Sequence, residues 1–357
     1  MFIVDTRLLT SNTQIMAFDE LVEKTRGMPN NQTDSLRSEG SNMPKSNCLS
    51  DSQPMNHQPM YQLDYLKYLA SNGGPEPDEY DELSASFRSI GDHVRQGRLR
   101  YEEDLCIWWK NLGEGFSSLH TMQGFVFLKP HGYAGDFEII ERIYQHWMSP
   151  HAHLVKWDRY FHEQAAPKAV RNRKAYFCNL VAGSMHSRPP GKMDILNVGC
   201  GPARDVLECL HLQQDIGHIS IDCLDQDQKA IAYAKNLTQD YSSQVRFILC
   251  NAFKYRPEKD YDLIWSAGLF DYLDDKAFCF LLGRLFGNVK SGGGVAIGNF
   301  SESNPSRDYM ESGDWFLHHR SEDQLFELAC RCGVPADNIA IEKEPEGVNL
   351  FLRIRKD

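Results

Sequence analysis

The chain has no CxxC pair, no run of about 18 apolar residues, no internal repeat and no excess of positive charge. Its ten cysteines are scattered singly through apolar stretches, and the one close pair, Cys330 and Cys332, is separated by a single residue. That spacing suits neither a zinc ribbon nor a thioredoxin-like redox site, so no metal is expected and the cysteines read as small buried hydrophobes. Without a long apolar run no integral membrane segment is expected. With 38 Lys and Arg against 49 Asp and Glu, a net charge of −11, the chain lacks the basic footprint of a nucleic-acid binder. The first twenty residues carry acids and no basic n-region ahead of an apolar core, so no secretory signal is expected. These absences together point to a cytoplasmic protein. What remains is 41% hydrophobic over 357 residues, enough for a buried core in roughly two domains.

Three stretches differ in composition. Residues 1–60 form a poorly specified segment, because from Gly27 to Met60 the chain is rich in Asn, Ser, Gln, Pro and Met without apolar periodicity. Residues 61–190 are helical in pattern: YQLDYLKYLA, DEYDELSASFRSIGDHV, YEEDLCIWWKNLGEGF, FEIIERIYQHW and AVRNRKAYFCNLVAGSM place apolar residues three and four apart. They predict a helical extension or lid, closed by Ser187-Arg188-Pro189-Pro190-Gly191. From residue 191 to 357 seven short β-rich runs alternate with helical ones, and the last two form a hairpin around Pro345-Glu346-Gly347. The alternation predicts an α/β fold, a doubly wound, seven-stranded, mainly parallel sheet. Ligands of such sheets lie beyond the carboxyl ends of the strands, where the strand order reverses.

Three strand ends carry the chemistry. In ILNVGCGPARDV an apolar strand runs into Gly199-Cys200-Gly201, and a helix is expected from Pro202 with Asp205 in its first turn. Glycines there allow a sharp turn and a close ligand, but a dinucleotide fingerprint would need a third glycine where Arg204 stands. The second strand closes on Asp225, whose carboxylate could accept both hydroxyls of a ribose, leaving Asp227 to cap the next helix. The third closes on Cys250 and is followed by Asn251-Ala252-Phe253, an amide and an aromatic ring suited to a purine. Cys200 reads as a filler in a tight turn, while Asp205 could serve a ligand or a helix dipole equally. Together they describe a nucleoside-binding crevice.

On these residues the chain resembles the class I S-adenosylmethionine-dependent methyltransferases over roughly 190–357. The resemblance implies S-adenosylmethionine as cofactor, with Gly199, Cys200 and Gly201 along its methionine portion, Asp225 on its ribose and Asn251, Ala252 and Phe253 around its adenine. It also implies that Ser266, at the end of YDLIWSA, lies near the sulfonium, and that the last strand runs antiparallel. The family usually has an acid where Asn197 stands and a glycine at Ala203. Asn197 is expected to hydrogen-bond the amino-acid end without supplying charge. Upstream, Lys129-Pro130-His131-Gly132-Tyr133-Ala134-Gly135-Asp136 reads as a pocket-lining loop whose Asp136 caps the next helix. It resembles an element of a bacterial subfamily that makes 3-hydroxypalmitic acid methyl ester, a quorum-sensing signal.

The expected activity is therefore O-methylation of the carboxylate of a hydroxylated fatty acid. A carboxylate is already ionised at neutral pH and needs no general base, which suits a sequence without an obvious catalytic dyad. His131, Tyr133 and Arg320 are the expected acceptor-side residues, with Arg320 or a His of the aromatic and basic stretch 304–320 meeting the carboxylate and Trp315 lining the tail. The alternatives are methylation of another small hydroxyl or amine, with His131, Asp136 or His318 as base, and a non-catalytic cofactor-binding protein. Nicotinamide chemistry is a remote third. The acceptor, its chain length and the oligomeric state are not set by the sequence.

Overall fold

The computed structural model describes residues 58–186, 191–213 and 216–357. Most of the expected N-terminal segment, and the expected boundary at 187–190, therefore lie outside the described residues. Among the described residues eight α-helices precede the sheet: α1 (Gln58–Ser71), α2 (Tyr80–Arg95), α3 (Cys106–Asn111), α4 (Glu114–Ser117), α5 (Met122–Leu128), α6 (Phe137–Tyr144), α7 (Val155–Glu163) and α8 (Ala165–His186). The single helix expected over residues 101–116 is broken into a π-helical turn at 101–105, α3 and α4. The break falls at Gly113, whose φ of +87° ends α3 where an L-residue would be strained. Two further helices, α5 and α7, lie outside the helical stretches expected from the sequence.

The sheet elements follow as β1 (Met193–Val198), α9 (Arg204–Leu212), β2 (Ile219–Asp225), α10 (Gln228–Leu237), β3 (Val245–Leu249), β4 (Tyr261–Ser266), α11 (Asp275–Gly287) and β5 (Val289–Phe300). The chain closes with α12 (Arg307–Ser312), α13 (Glu322–Arg331), β6 (Ile339–Lys343) and β7 (Asn349–Arg355). The seven strands order as β3-β2-β1-β4-β5-β7-β6, with β7 antiparallel to both neighbours and the remaining pairs parallel. All six residues of β1 are buried, as a parallel strand covered on both faces requires. Alternate residues divide between two cores: Ile195 joins α8, α9 and α10 on one face, Leu196 joins α11 and α13 on the other. The β6–β7 turn is held by the buried Glu344, which accepts from the N–H groups of Glu346, Val348 and Asn349 and from the Asn172 amide of α8.

A third core fills the helical layer. It contains Phe87, Trp109, Phe125 and Trp157 from the helices and continues into Phe300 at the end of β5 and Tyr309, Met310 and Trp315 beyond it. The extension is thus joined to the sheet through the β5–α13 connection, above the carboxyl ends of the strands.

Candidate functional site

The strand order reverses between β1 and β4, so a crevice opens beyond their carboxyl ends. Gly199 and Gly201 take φ of +68° and +53° there, and the Gly199 and Cys200 N–H groups donate to Leu224 O at 2.8 and 3.1 Å. A Cβ on Gly201 would point into open space, so a ligand can approach the backbone closely. The helix begins at Arg204 and not at Pro202, because Ala203 itself is left-handed, with φ of +54°. The backbone shape that favours glycine is kept with an alanine, at a cost of roughly 1 kcal/mol or more.

At the end of β2, Asp225 is half-buried, and desolvation raises its carboxyl above the usual range. Its two oxygens accept from the Gly201 and Asp227 N–H groups, each at 2.9 Å, so the side chain is pinned and its remaining lone pairs face the crevice side of the turn. Asp227 caps α10 through Lys229 N–H at 2.7 Å. At the end of β3, the Asn251 amide closes on itself: its oxygen accepts from Phe253 N–H and its nitrogen donates to Gln226, both at 2.8 Å. Phe253 stacks on Phe280 with the rings 13° apart. Ser266, fully buried, donates to Val198 O at 2.9 Å and ties β4 to β1 beneath the crevice.

Two buried polar groups converge on the reversal point without complete pairing. Asn197, 1% exposed, reaches Asp205 with its nitrogen at 3.5 Å, and its oxygen has no partner. Arg173 of α8, 5% exposed, donates from Nη1 to Ala267 O at 3.2 Å, and its Nε has no partner. Burial also raises Asp205, which accepts from Trp265 Nε1 at 2.9 Å. Arg173 is the site residue that sequence reasoning missed. A signal was there: Ala166, Val170, Arg173 and Phe177 share one buried face of α8, and an arginine on an apolar face needs a reason.

The loop 129–136 lies across this crevice. Tyr133 donates to Asp227 beyond β2 at 2.7 Å, while Gly135, with φ of +69°, makes room for the Tyr272 hydroxyl and the Trp315 ring beyond β4. Any side chain at residue 135 would collide with that hydroxyl. Asp136 caps α6 by accepting from Glu138 and Ile139 N–H groups, both at 2.9 Å. Glu141 of the same helix binds Arg204 of α9 and Tyr233 of α10, which anchors the loop to the helices behind β1 and β2. His131 pairs with Glu138 at 2.9 Å, its ring packs on Phe137, and its Nδ1 is buried without a partner.

Arg320 is placed differently from the sequence expectation. It is 4% exposed, and its guanidinium donates to Asn299 Oδ1 at 2.8 Å, to Leu273 O at 2.6 Å and to Asp275 at 3.1 Å. Its donors clamp the end of β5 to the turn before α11, so they are spent on partners within the protein. Among the described residues no three His, Cys, Asp or Glu side chains gather as a metal would require, and no helix is long and apolar enough to cross a membrane.

Residues 195–293, from β1 into the start of β5, match the family model for a methyltransferase domain. Over 107 residues the chain is 32% identical to malonyl-[acyl-carrier protein] O-methyltransferase 1 of Ilyobacter polytropus, covering 30% of this chain and 38% of that protein. The chain thus spans well under half the length of the curated relative it matches. Across 85% of its own length it superposes on 99% of a possible exported protein from Bordetella parapertussis, with a TM-score of 0.55 and 17% identity, which shows a shared fold. A looser likeness, with a TM-score of 0.40 and 12% identity, covers 53% of this chain and 83% of magnesium protoporphyrin IX methyltransferase from Synechocystis PCC 6803.

Proposed function

We propose that the chain is an S-adenosylmethionine-dependent O-methyltransferase that esterifies the carboxylate of a hydroxylated fatty acid in the cytoplasm. The observation that carries the cofactor assignment is the pair of incompletely paired buried groups at the strand reversal, Arg173 Nε and Asn197 Oδ1. Burying a donor and an acceptor without partners costs about 1–3 kcal/mol each, which a ligand carrying both a carboxylate and an ammonium would recover. The amino-acid end of S-adenosylmethionine is such a ligand. Arg173 takes its carboxylate, Asn197 Oδ1 takes an N–H of its ammonium, and Asp225 accepts from the ribose hydroxyls. Asn251 and Phe253 border the adenine. When bound, the cofactor supplies a methyl group on a positively charged sulfur. The loop 129–136, held by Tyr133 and with His131 behind it, keeps water from the crevice and aligns the acceptor, which is where most of the rate would arise.

The acceptor assignment rests on the Gly-Tyr-Ala-Gly-Asp resemblance. The second reading, transfer to a hydroxyl or amine, is favoured by one group: Asp271, beyond β4, is pushed up to about 7 by burial and approaches Gly268. Calorimetry with S-adenosylmethionine tests the cofactor, and Asp225→Ala is expected to weaken binding at least about 100-fold through the loss of charged hydrogen bonds. A labelled-methyl assay over 3-hydroxy acids, phenols and amines then decides the acceptor. Transfer to amines or phenols alone would overturn the ester reading.

A further inference from the structure

The helical layer holds a cavity of about 30 Å³ between α5, α8 and the β5–α13 connection, lined by Trp109, Val126, Val170, Phe300, Met310 and Trp315 among others. Three polar side chains also border it, and each is satisfied within the wall. Gln123 donates to Gly115 O at 2.7 Å and accepts from the Tyr309 hydroxyl at 2.6 Å, and Ser306 Oγ accepts from Ala166 N–H at 3.1 Å. No hydrogen-bonding need therefore points into the space, so water has no reason to occupy it and an apolar group does. The cavity also adjoins the crevice. On α8, Val170 faces the cavity and Arg173, one turn and about 4.5 Å further along the axis, reaches Ala267 at the end of β4. On the other side Trp315 forms the partition: its ring lines the cavity, lies against Gly135 of the covering loop, and donates to the Tyr272 hydroxyl at 2.9 Å.

From this geometry we infer that the cavity is a binding site for an alkyl chain of the acceptor, entered from the crevice past Trp315. The inference rests on the reading of the crevice as a methyl-transfer site and adds a place and a size limit for the apolar part of the substrate. A space of this size holds about two waters, so it takes a short stretch of methylenes before its wall must move. Met310, unbranched and adaptable, is the wall residue most able to yield.

The test is calorimetric titration of straight-chain 3-hydroxy acids, from butanoate to hexadecanoate, into the full chain with and without saturating S-adenosylhomocysteine. Affinity should rise about fourfold per added methylene and then level off where the cavity is filled. Val126→Phe should move the plateau to shorter chains and Met310→Ala to longer ones, opposite shifts that general destabilisation cannot produce. A flat length profile in the wild type overturns the site, and so do folded variants that keep the wild-type plateau. If neither variant folds, the wild-type profile decides alone. Absent S-adenosylhomocysteine binding fails the methyl-transfer reading whatever the acids do, whereas cofactor binding with a flat profile fails the alkyl site alone.

Discussion

Two arginines, both almost fully buried, are put to different use. Arg320 has its donors matched by Asn299, Leu273 and Asp275, while Arg173 keeps Nε unmatched beside the crevice. The difference predicts separable phenotypes. Arg320→Ala leaves the Leu273 carbonyl and the Asn299 amide oxygen without this donor and should lower unfolding stability by about 2–3 kcal/mol, with the folded fraction binding S-adenosylmethionine at wild-type affinity. Arg173→Met retains the apolar stem and should instead weaken cofactor affinity at least about tenfold with a smaller fall in Tm. Thermal melts and calorimetry on the same samples check both. A cofactor defect in the Arg320 variant would return that residue to the ligand site. Sequence alone marked Arg320 and passed over Arg173, since a buried arginine's partners lie far along the chain: Ala267 is 94 residues from Arg173.

The loop 129–136 and α6 work as one element. Asp136 caps the helix, Glu141 fixes it to α9 and α10, and Tyr133 and Gly135 carry the loop from the end of β2 to the turn after β4. Lifting the loop from Asp227 breaks the hydrogen bond of the Tyr133 hydroxyl. Tyr133→Phe should therefore raise the S-adenosylmethionine dissociation rate about tenfold, because a hydrogen bond to a carboxylate is worth about 1.5–3 kcal/mol, with a fall in melting temperature of only a few degrees. Stopped-flow displacement reads the rate. An unchanged rate with a lowered Tm would make the loop structural only. The cap at Asp136 was legible from its position before FEIIERIYQHW. The span of the loop over the crevice was not, because it depends on contacts with β2 and β4 segments that follow it by some 90 to 140 residues.

At the scale of the whole molecule, the helical layer titrates with the fold. His162 is fully buried; its Nε2 donates to Trp147 O at 2.8 Å, and burial pushes it down to about 4. The unfolded chain takes up that proton near pH 6.5, the folded chain only near 4, so the stability His162 supports is present above about 6.5 and is lost as pH falls toward 4. Asp158, pushed up to about 6 by burial, acts with the opposite sign. The comparison that isolates His162 is therefore with His162→Gln, whose loss of stability from about pH 7 to about pH 4.5 should be smaller than that of the wild type by about 2 kcal/mol in urea titrations. An equal acid limb would show that the imidazole protonates in the folded state. By itself the sequence determined the seven strands, their alternation with helices, the glycine turn and the carboxylate at the end of β2. Those are local matters of apolar period, backbone freedom and capping. Only the tertiary structure decided which buried groups lack partners, which partners Arg320 takes, and that an apolar cavity lies one helical turn from the crevice. Such outcomes depend on how α8, the loop 129–136 and the β5–α13 connection pack together, and packing between segments a hundred or more residues apart leaves no period in the sequence to read.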